Sequence, residues 1–306
     1  MNLHIIKVDI RNFRSVRNLT LSPAKLAVLV GKNDAGKSNI LRALNLFFNG
    51  VTVPEEELDF DVDHNVFNRP NRQAKEISIK LEVELPESYQ ATNGDFVQWE
   101  RRWRSDGLVH DKYVGQRRRD GRNGTVRLEE VDIPTRSNVH TLLRNINFIY
   151  VPAVKDLEYF SDLRASIYEV IADVADQPFR DLSQGFEQSI SDQLVDLTTQ
   201  ITAALGFRSR LALPKDLSHI FESLDFLSEG QDISLNARGD GIKARHIPLI
   251  LKFMADKKRS LQVRGAPPHT FIWAYEEPEN NLELSSCVDV KRGAIMGHRN
   301  DCLARL

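Results

Sequence analysis

Apolar and polar positions alternate from the start of the chain. Leu3, Ile5, Val8, Ile10 and Phe13 are interspersed with His4, Lys7, Asp9 and Arg11, the near-twofold period of a half-buried strand. Ser22-Pro23 breaks the pattern, and Leu26-Ala-Val-Leu-Val30 follows as a continuous apolar run. That run predicts a strand buried on both faces, as in a parallel sheet covered by helices. Asn39 to Phe48 is rich in helix formers with clustered apolar residues, and Asn49-Gly50 marks its end. A strand, a glycine-containing loop and a helix are therefore expected in direct succession.

From Glu76 the text changes. Ile77, Ile79, Leu81, Val83 and Leu85 alternate with Ser78, Lys80, Glu82 and Glu84 until Pro86, the signature of a strand with one wet face. Turn signals at Asn93-Gly94, Asp106-Gly107, Asp120-Gly121 and Asn123-Gly124 punctuate short strand-like pieces up to about Ile133. Residues 76–133 thus read as an antiparallel β region. Asn147-Phe-Ile-Tyr-Val-Pro152 is a further buried strand ended by proline, and helical text follows it. Ile190, Leu194, Leu197, Ile201 and Leu205 recur at helical spacing, with Gly206 placed to end that helix. A second helix is expected from Ala244 to about Ala255, after glycine-rich text at 238–241.

Composition narrows the class. With 306 residues the chain can bury a full α/β core and carry an insertion. Hydrophobic residues make up 41%, charged residues 27%, and mean hydropathy is −0.37, as in a soluble globular protein. No apolar run approaches the roughly 18 residues of a membrane helix, and the first residues lack the pattern of a signal peptide. Cys287 and Cys302 are the only two cysteines, which excludes a disulfide framework or a cysteine zinc site and points to the cytoplasm. His4, His110, His140, His246 and His269 show no metal-ligand spacing. A net charge of −2 means that any contact with nucleic acid must come from a local patch. One candidate patch is 101–127, where Arg101, Arg102, Arg104, Lys112, Arg117, Arg118, Arg119, Arg122 and Arg127 surround Trp99, Trp103 and Tyr113. Charge beside aromatics suits a phosphate backbone with stacked bases. Interspersed acids leave open the alternative of a solvated hairpin edge protected by charge.

Two motifs carry chemistry. Gly31, Lys32, Asn33, Asp34, Ala35, Gly36, Lys37 and Ser38 match G-x-x-x-x-G-K-[ST] in full, between an expected strand and an expected helix that starts near Asn39. Converging backbone N–H groups need glycines, and the helix aims its N-terminal dipole at the same anion. Lys37 is expected to reach the β- and γ-phosphates of ATP, and Ser38 to ligate Mg²⁺. Phe271-Ile-Trp-Ala-Tyr-Glu276-Glu277 reads as a buried strand ending in two acids. Such a strand would fix one acid near Mg²⁺ while the second orients a water.

Ile10-Arg11-Asn12-Phe13-Arg14-Ser15-Val16, the segment Gly31 to Leu44, and Tyr275-Glu-Glu-Pro-Glu-Asn-Asn-Leu282 together resemble the SMC/RecF-type ABC ATPases. Within them the chain looks most like the overcoming-lysogenization-defect (OLD) branch. The resemblance implies an α/β P-loop NTPase of the ABC/SMC type, a mixed sheet with an antiparallel β lobe and a helical insertion. It implies that Glu276 holds Mg²⁺, that Glu277 is the catalytic base, that Asn280 and Asn281 lie in a D-loop, and that Arg14 approaches the nucleotide. It further implies a homodimer that sandwiches ATP. A signature loop is expected to face the partner's γ-phosphate. Arg238, Gly239, Asp240 and Gly241 fit better than Leu227-Ser-Glu-Gly-Gln231, because the latter runs into Asp232-Ile-Ser-Leu-Asn, which reads as a strand.

The expected organisation is 1–75 for the first ATPase part, 76–154 for the β lobe, and 155–225 for the helical insertion. Residues 226–284 would form the second ATPase part, and 285–306 an irregular tail. After the D-loop, Ser285 to Asp301 holds no apolar run for the strand that carries a switch histidine in this class, with His298 a poor stand-in. The chain also leaves no room for the TOPRIM nuclease of OLD proteins, so a shortened or fragmentary member is expected. The leading functional expectation is an ATPase whose dimerisation controls action on DNA. The alternative is an ATP-sensing subunit that assembles with a separate nuclease or effector. The Asn-Phe-Arg opening and the Glu-Glu-Pro-Glu turn disfavour a transporter ATPase, and nothing supplies an acceptor site for a kinase.

Overall fold

The computed structural model describes residues 3–54, 56–65, 75–120, 125–174, 188–189, 192, 194–205, 226, 234–260, 265–278 and 301–304. The chain divides into two compact units, one of Met1–Val154 with Val263–Leu306 and the other of Lys155–Gln262.

Among the described residues the first unit holds two large sheets and a two-stranded ribbon. β1 (His4–Phe13) and β2 (Val16–Leu21) form a hairpin, and β1 pairs on its other side with β6 (Ile77–Glu84). β7 (Phe96–Arg104), β8 (Gly107–Asp120) and β9 (Val126–Val131) continue the antiparallel sheet in the order β2-β1-β6-β7-β8-β9. The second sheet is parallel, in the order β10-β11-β12-β3. Its strands are β10 (Ile146–Val151), β11 (Thr270–Tyr275), β12 (Asp301–Ala304) and β3 (Leu26–Val28). A short ribbon pairs β4 (Val51–Val53) with β5 (Glu56–Glu57).

Period-two patterning sets the register of the large sheet. Val8 faces Leu81 and Ile10 faces Ile79 across the β1–β6 pair, and all four side chains are buried. α1 (Lys37–Asn49) packs against β1 and β6 of this sheet and also against β10 of the other. Its Leu41, Ala43, Leu44, Leu46 and Phe47 are wholly buried and join one core with Phe148, Tyr150, Ile272 and Ala274. Gly50 ends the helix in the left-handed region, φ 78°, donating its N–H to Leu46 O at 3.1 Å. Among the described residues this unit also holds three short helices: α2 (Phe60–Asp63), α3 (Glu87–Asn93) and α4 (Val139–Arg144).

In the second unit α5 (Leu157–Val174) packs along α7 (Asp240–Ser260), and α6 (Val195–Leu205) lies between them in sequence. The stripe expected along α6 is only partly buried: Leu197 is exposed, Leu194 and Ile201 are half-buried, and Ile190 lies outside the described residues.

Several expectations need correction. Leu26 to Val30 is not buried on both faces. β3 is an end strand, so Ala27 and Leu29 pack on the core while Leu26, Val28 and Val30 stay exposed at 43%, 41% and 79%. A strand does follow the segment expected to be a D-loop: Asp301–Ala304 inserts between β11 and β3, too short at four residues to show as an apolar run. Asn93-Gly94 is not a hairpin turn but the end of α3, where Gly94 stops the helix. Of the strand expected over Asp232-Ile-Ser-Leu-Asn236, the first two residues lie outside the described ones and Leu235 opens a 3₁₀ turn, Leu235–Ala237.

Gly115 is required by close approach, because a Cβ there would stand 2.1 Å from Asn93 O. Phe47 is wedged edge-on to Trp99 at 4.9 Å and carries the Arg101 guanidinium over its ring. Phe47→Ala is expected to lower the unfolding free energy of the first unit by about 3–5 kcal/mol, read as a lower denaturant midpoint by tryptophan fluorescence.

Candidate functional site

The glycine loop sits where β3 gives way to α1. Ala35 N donates to Lys32 O at 3.2 Å, Asp34 is left-handed at φ 63°, and Gly36 caps α1 at φ 84°. A Cβ on Gly36 would meet Ser15 Oγ at 2.9 Å, so strain and crowding both demand glycine. Lys37 is the first helical residue and is buried. Its Nζ folds back over the loop and donates to Gly31 O and Lys32 O, each at 2.5 Å. Lys32, Asn33, Asp34 and Ala35 are exposed, and Ser38 and Asn39 are half-buried on the first turn of α1. Asn39 Nδ2 donates to Ser15 Oγ at 2.9 Å, tying α1 to the β1–β2 turn.

That turn is braced from a distant segment. Arg14, left-handed at φ 47°, donates its N–H to Asp63 O and its Nε to Asp63 Oδ1, both at 2.6 Å. Asn65 Nδ2 donates to Arg14 O, and Asn65 N to Asn12 O. Asp59 caps α2 by accepting from Asp61 N and Val62 N, which presents Asp63 at the helix end. Arg14 is therefore engaged with a carboxylate that is only 2% exposed. The sequence gives no sign of Asp63 or Asn65, since about fifty residues separate them from the turn they hold.

The second motif arrives on β11, whose six residues are all buried. Each of its registered partners on β10 lies parallel, from Ile146 opposite Thr270 to Val151 opposite Tyr275. Glu276 follows directly, buried, with its N–H on Val151 O at 2.9 Å. Glu277 is half-buried and left-handed at φ 45°. Two further side chains meet Glu276. Arg42 Nε lies 3.9 Å from its Oε1, and Tyr150 on β10 neighbours both groups. Burial and the Glu276 carboxylate push the Tyr150 phenol well above its ordinary pKa. Burial works against the Arg42 charge, but Tyr150 and Glu276 outweigh it and hold that guanidinium up. Arg42 lies four residues beyond Ser38, hence on the same face of α1, a spacing legible in the sequence. Tyr150 had no such signal.

Thus Arg14, Gly31 to Asn39 and Glu276-Glu277 all belong to the first unit. Arg238 and Gly239 precede α7 in the second unit, and Asp240 and Gly241 are its first residues. Asn280 and Asn281, His298, and the discarded Leu227–Gln231 loop lie outside the described residues.

In the arginine-rich segment, whose Arg122 lies outside the described residues, the two tryptophans are not available to stack on bases. β7 is an inner strand, so Trp99 and Trp103 point into the core at 7% and 5% exposure. Arg101 is spent on the Phe47 carbonyl, Asp111 and two aromatic rings, and Arg102 and Arg104 on Glu76 and Glu100. Arg117 donates to Gln90 O and Ala91 O, Arg118 covers Phe96, and Arg119 pairs with Glu129.

A glycine loop between a strand of the parallel sheet and a helix, with a buried strand ending in acids in the same sheet, defines a P-loop NTPase. The chain belongs to the AAA ATPase domain family, whose model matches residues 3–201. Its fold is similar to an Smc head bound to the C-winged helix domain of ScpA, with a TM-score of 0.53 at 18% identity over 99% of this chain and 89% of that one. Stu0660 of Streptococcus thermophilus is similar at a TM-score of 0.52 and 10% identity, over 98% of this chain and 68% of that one. Uncharacterized protein MJECL44 of Methanocaldococcus jannaschii is 54% identical over 62 residues, which are 18% of this chain and 19% of that protein. The chain thus matches less than a fifth of that relative's length. No helix among the described residues is long and apolar enough to cross a membrane.

Asp63 anchors the turn through a charged hydrogen bond from a nearly sealed position. Asp63→Ala is expected to cost about 2–3 kcal/mol, measurable as a lower midpoint in chemical denaturation, with Arg14→Ala costing less because its side chain keeps 20% exposure.

Proposed function

We propose that this cytoplasmic protein binds and hydrolyses ATP in the manner of RecF/OLD-type ATPases, and that ATP-dependent dimerisation controls its action on DNA, in repair or phage defence. The observation that carries this reading is the convergence on α1 of a glycine loop, a lysine folded over it, and a buried strand ending in Glu276 and Glu277. The residues fit the expected ligands. Ser38 and Glu276 offer only oxygen donors, the preference of Mg²⁺. The Gly36 cradle has no room for a side chain, and the Lys37 ammonium rests on carbonyls of the loop.

On this reading Gly31, Lys32, Asn33, Asp34, Ala35, Gly36, Lys37, Ser38 and Asn39 hold the triphosphate. Ser38 and Glu276 hold Mg²⁺, which supplies neutralisation of phosphate charge. Glu277 accepts the proton of the attacking water. Arg14 approaches the nucleotide from the β1–β2 turn. Arg238, Gly239, Asp240 and Gly241 at the start of α7, and Asn280 with Asn281, serve the contact with the second copy. DNA and a nuclease or effector subunit are the proposed partners, and the segments 1–75, 76–154, 155–225, 226–284 and 285–306 the proposed organisation. The pairing of Arg101, Arg102 and Arg104 with acids argues against β7 as the surface that meets DNA.

The test is ATP turnover by the purified protein with and without DNA. Lys37→Ala is expected to abolish nucleotide binding. Glu277→Gln is expected to keep binding and lose turnover by about 10²-fold or more. DNA stimulation would tie turnover to nucleic acid. Tight binding with negligible turnover in the wild type would replace the hydrolase reading with that of an ATP-sensing subunit.

A further inference from the structure

We propose that Arg42 is an internal counter-ion that stands in for the divalent cation at Glu276, so that binding of metal with nucleotide is coupled to release of this guanidinium. The inference rests on the reading of Glu276 as a metal ligand and adds a regulatory residue to it.

Three observations carry it. The Glu276 side chain is only 4% exposed, and a carboxylate removed from water without a nearby cation is strongly disfavoured. Arg42 supplies that cation, but from 3.9 Å, beyond hydrogen-bond length. Its Nε makes no hydrogen bond, so no directed bond from that atom fixes it to the carboxylate. The other charges facing it are acidic or neutral: Glu276, the more distant Glu56 of β5, and the Tyr150 phenol.

The placement makes the cation replaceable. Arg42 and Ser38, the two α1 side chains concerned, share one helix face. A divalent ion between Ser38 and Glu276 would put two positive charges beside the guanidinium, inverting the local field. Unlike Glu276, the Arg42 side chain keeps 30% exposure, so it has a route to water along its aliphatic stem. Glu276 is thereby compensated in both states, by Arg42 when no metal is present and by the metal when it is bound. The coupling is reciprocal: Arg42 stabilises the nucleotide-free protein and weakens its hold on metal.

Arg42→Gln tests this, with Arg42→Lys as the charge-preserving control. The Mg²⁺ concentration for half-maximal binding of a non-hydrolysable ATP analogue is measured for each. So is the thermal midpoint with and without Mg²⁺ and analogue. R42Q is expected to lower the Mg²⁺ midpoint by about tenfold, the scale of one nearby unit charge in a partly solvated site, while R42K stays near wild type. R42Q should also unfold at a lower temperature than wild type without ligand, and that gap should close at saturating Mg²⁺ and analogue. Equal thermal gaps in both states with an unchanged Mg²⁺ midpoint would overturn the proposal and leave Arg42 a packing residue. A wild type that binds the analogue with no Mg²⁺ dependence would overturn the metal role of Glu276, and the proposal with it.

Discussion

The placement of α1 between two sheets is the constraint on which the rest of the molecule depends. Most surface helices bury one stripe and leave the other to water. Here Leu41 and Ala43 to Phe47 are buried almost all round the helix, with β1 and β6 on one side and β4 and β10 on the other. Each fully buried Leu or Phe contributes about 1.5–3 kcal/mol of transfer free energy. The helix is therefore fixed in position along its length, and its first turn is fixed with it. Polar positions inside this packing find partners: Asn45 donates to Thr52 O, and Asn49 to Phe148 O and Asn45 Oδ1. The side chains left for chemistry are Lys37, Ser38, Asn39 and Arg42, gathered at the N-terminal end where the dipole favours an anion.

Local backbone strain is concentrated around the same place. Among the described residues, Asn12, Arg14, Asp34 and Glu277 are the non-glycine residues with positive φ. Each left-handed residue costs of order 1 kcal/mol or more and persists only where its surroundings over-determine it. The β1–β2 turn shows how: Asn12 Nδ2 reaches Glu76 O, and Asp63 and Asn65 bind the backbone on either side of Arg14. By contrast Gly107, at φ 100° in the β7–β8 hairpin, has nothing within 4 Å of its Cβ position and no such brace. A turn that serves only to reverse the chain takes glycine. The turn beside the phosphate loop keeps functional side chains and is held by bonds from elsewhere.

What could be read from sequence follows from this division. The phosphate loop, α1 and β6 are local patterns, and the glycine, helix and alternation signals each lie within a short window. β11 was legible for the same reason, as an unbroken apolar run ending in two acids. The pairing of the β1–β2 hairpin with the 76–131 strands in one sheet was not, because register between distant strands leaves no local mark. β12 escaped because four residues are too few for a period. Asp63, Asn65 and Tyr150 escaped because ordinary polar residues acquire their roles only through contacts across the fold. Arg42 was visible as a helix position but not as the neighbour of an acid two hundred residues away.

The arginines show why residue type alone misleads. Nine basic residues among aromatics on 101–127 suggested a surface for phosphates. In the fold, alternation sends Trp99 and Trp103 inward, and the arginine stems then cover apolar rings while their heads take the nearest acids. Arg101–Asp111 and Arg102–Glu100 close at 2.9 and 2.8 Å, as pairs whose geometry is complete. Arg42–Glu276 stays at 3.9 Å although its acid is the more deeply buried of the three. The other two carboxylates are shared only with fixed protein donors, Asp111 with the Trp99 indole and Glu100 with the Ser78 hydroxyl. An acid proposed to take a metal ion can be compensated by charge at a distance, without a closed ion pair. On the proposed reading of Glu276 as a metal ligand, the longer separation suits a carboxylate that exchanges partners.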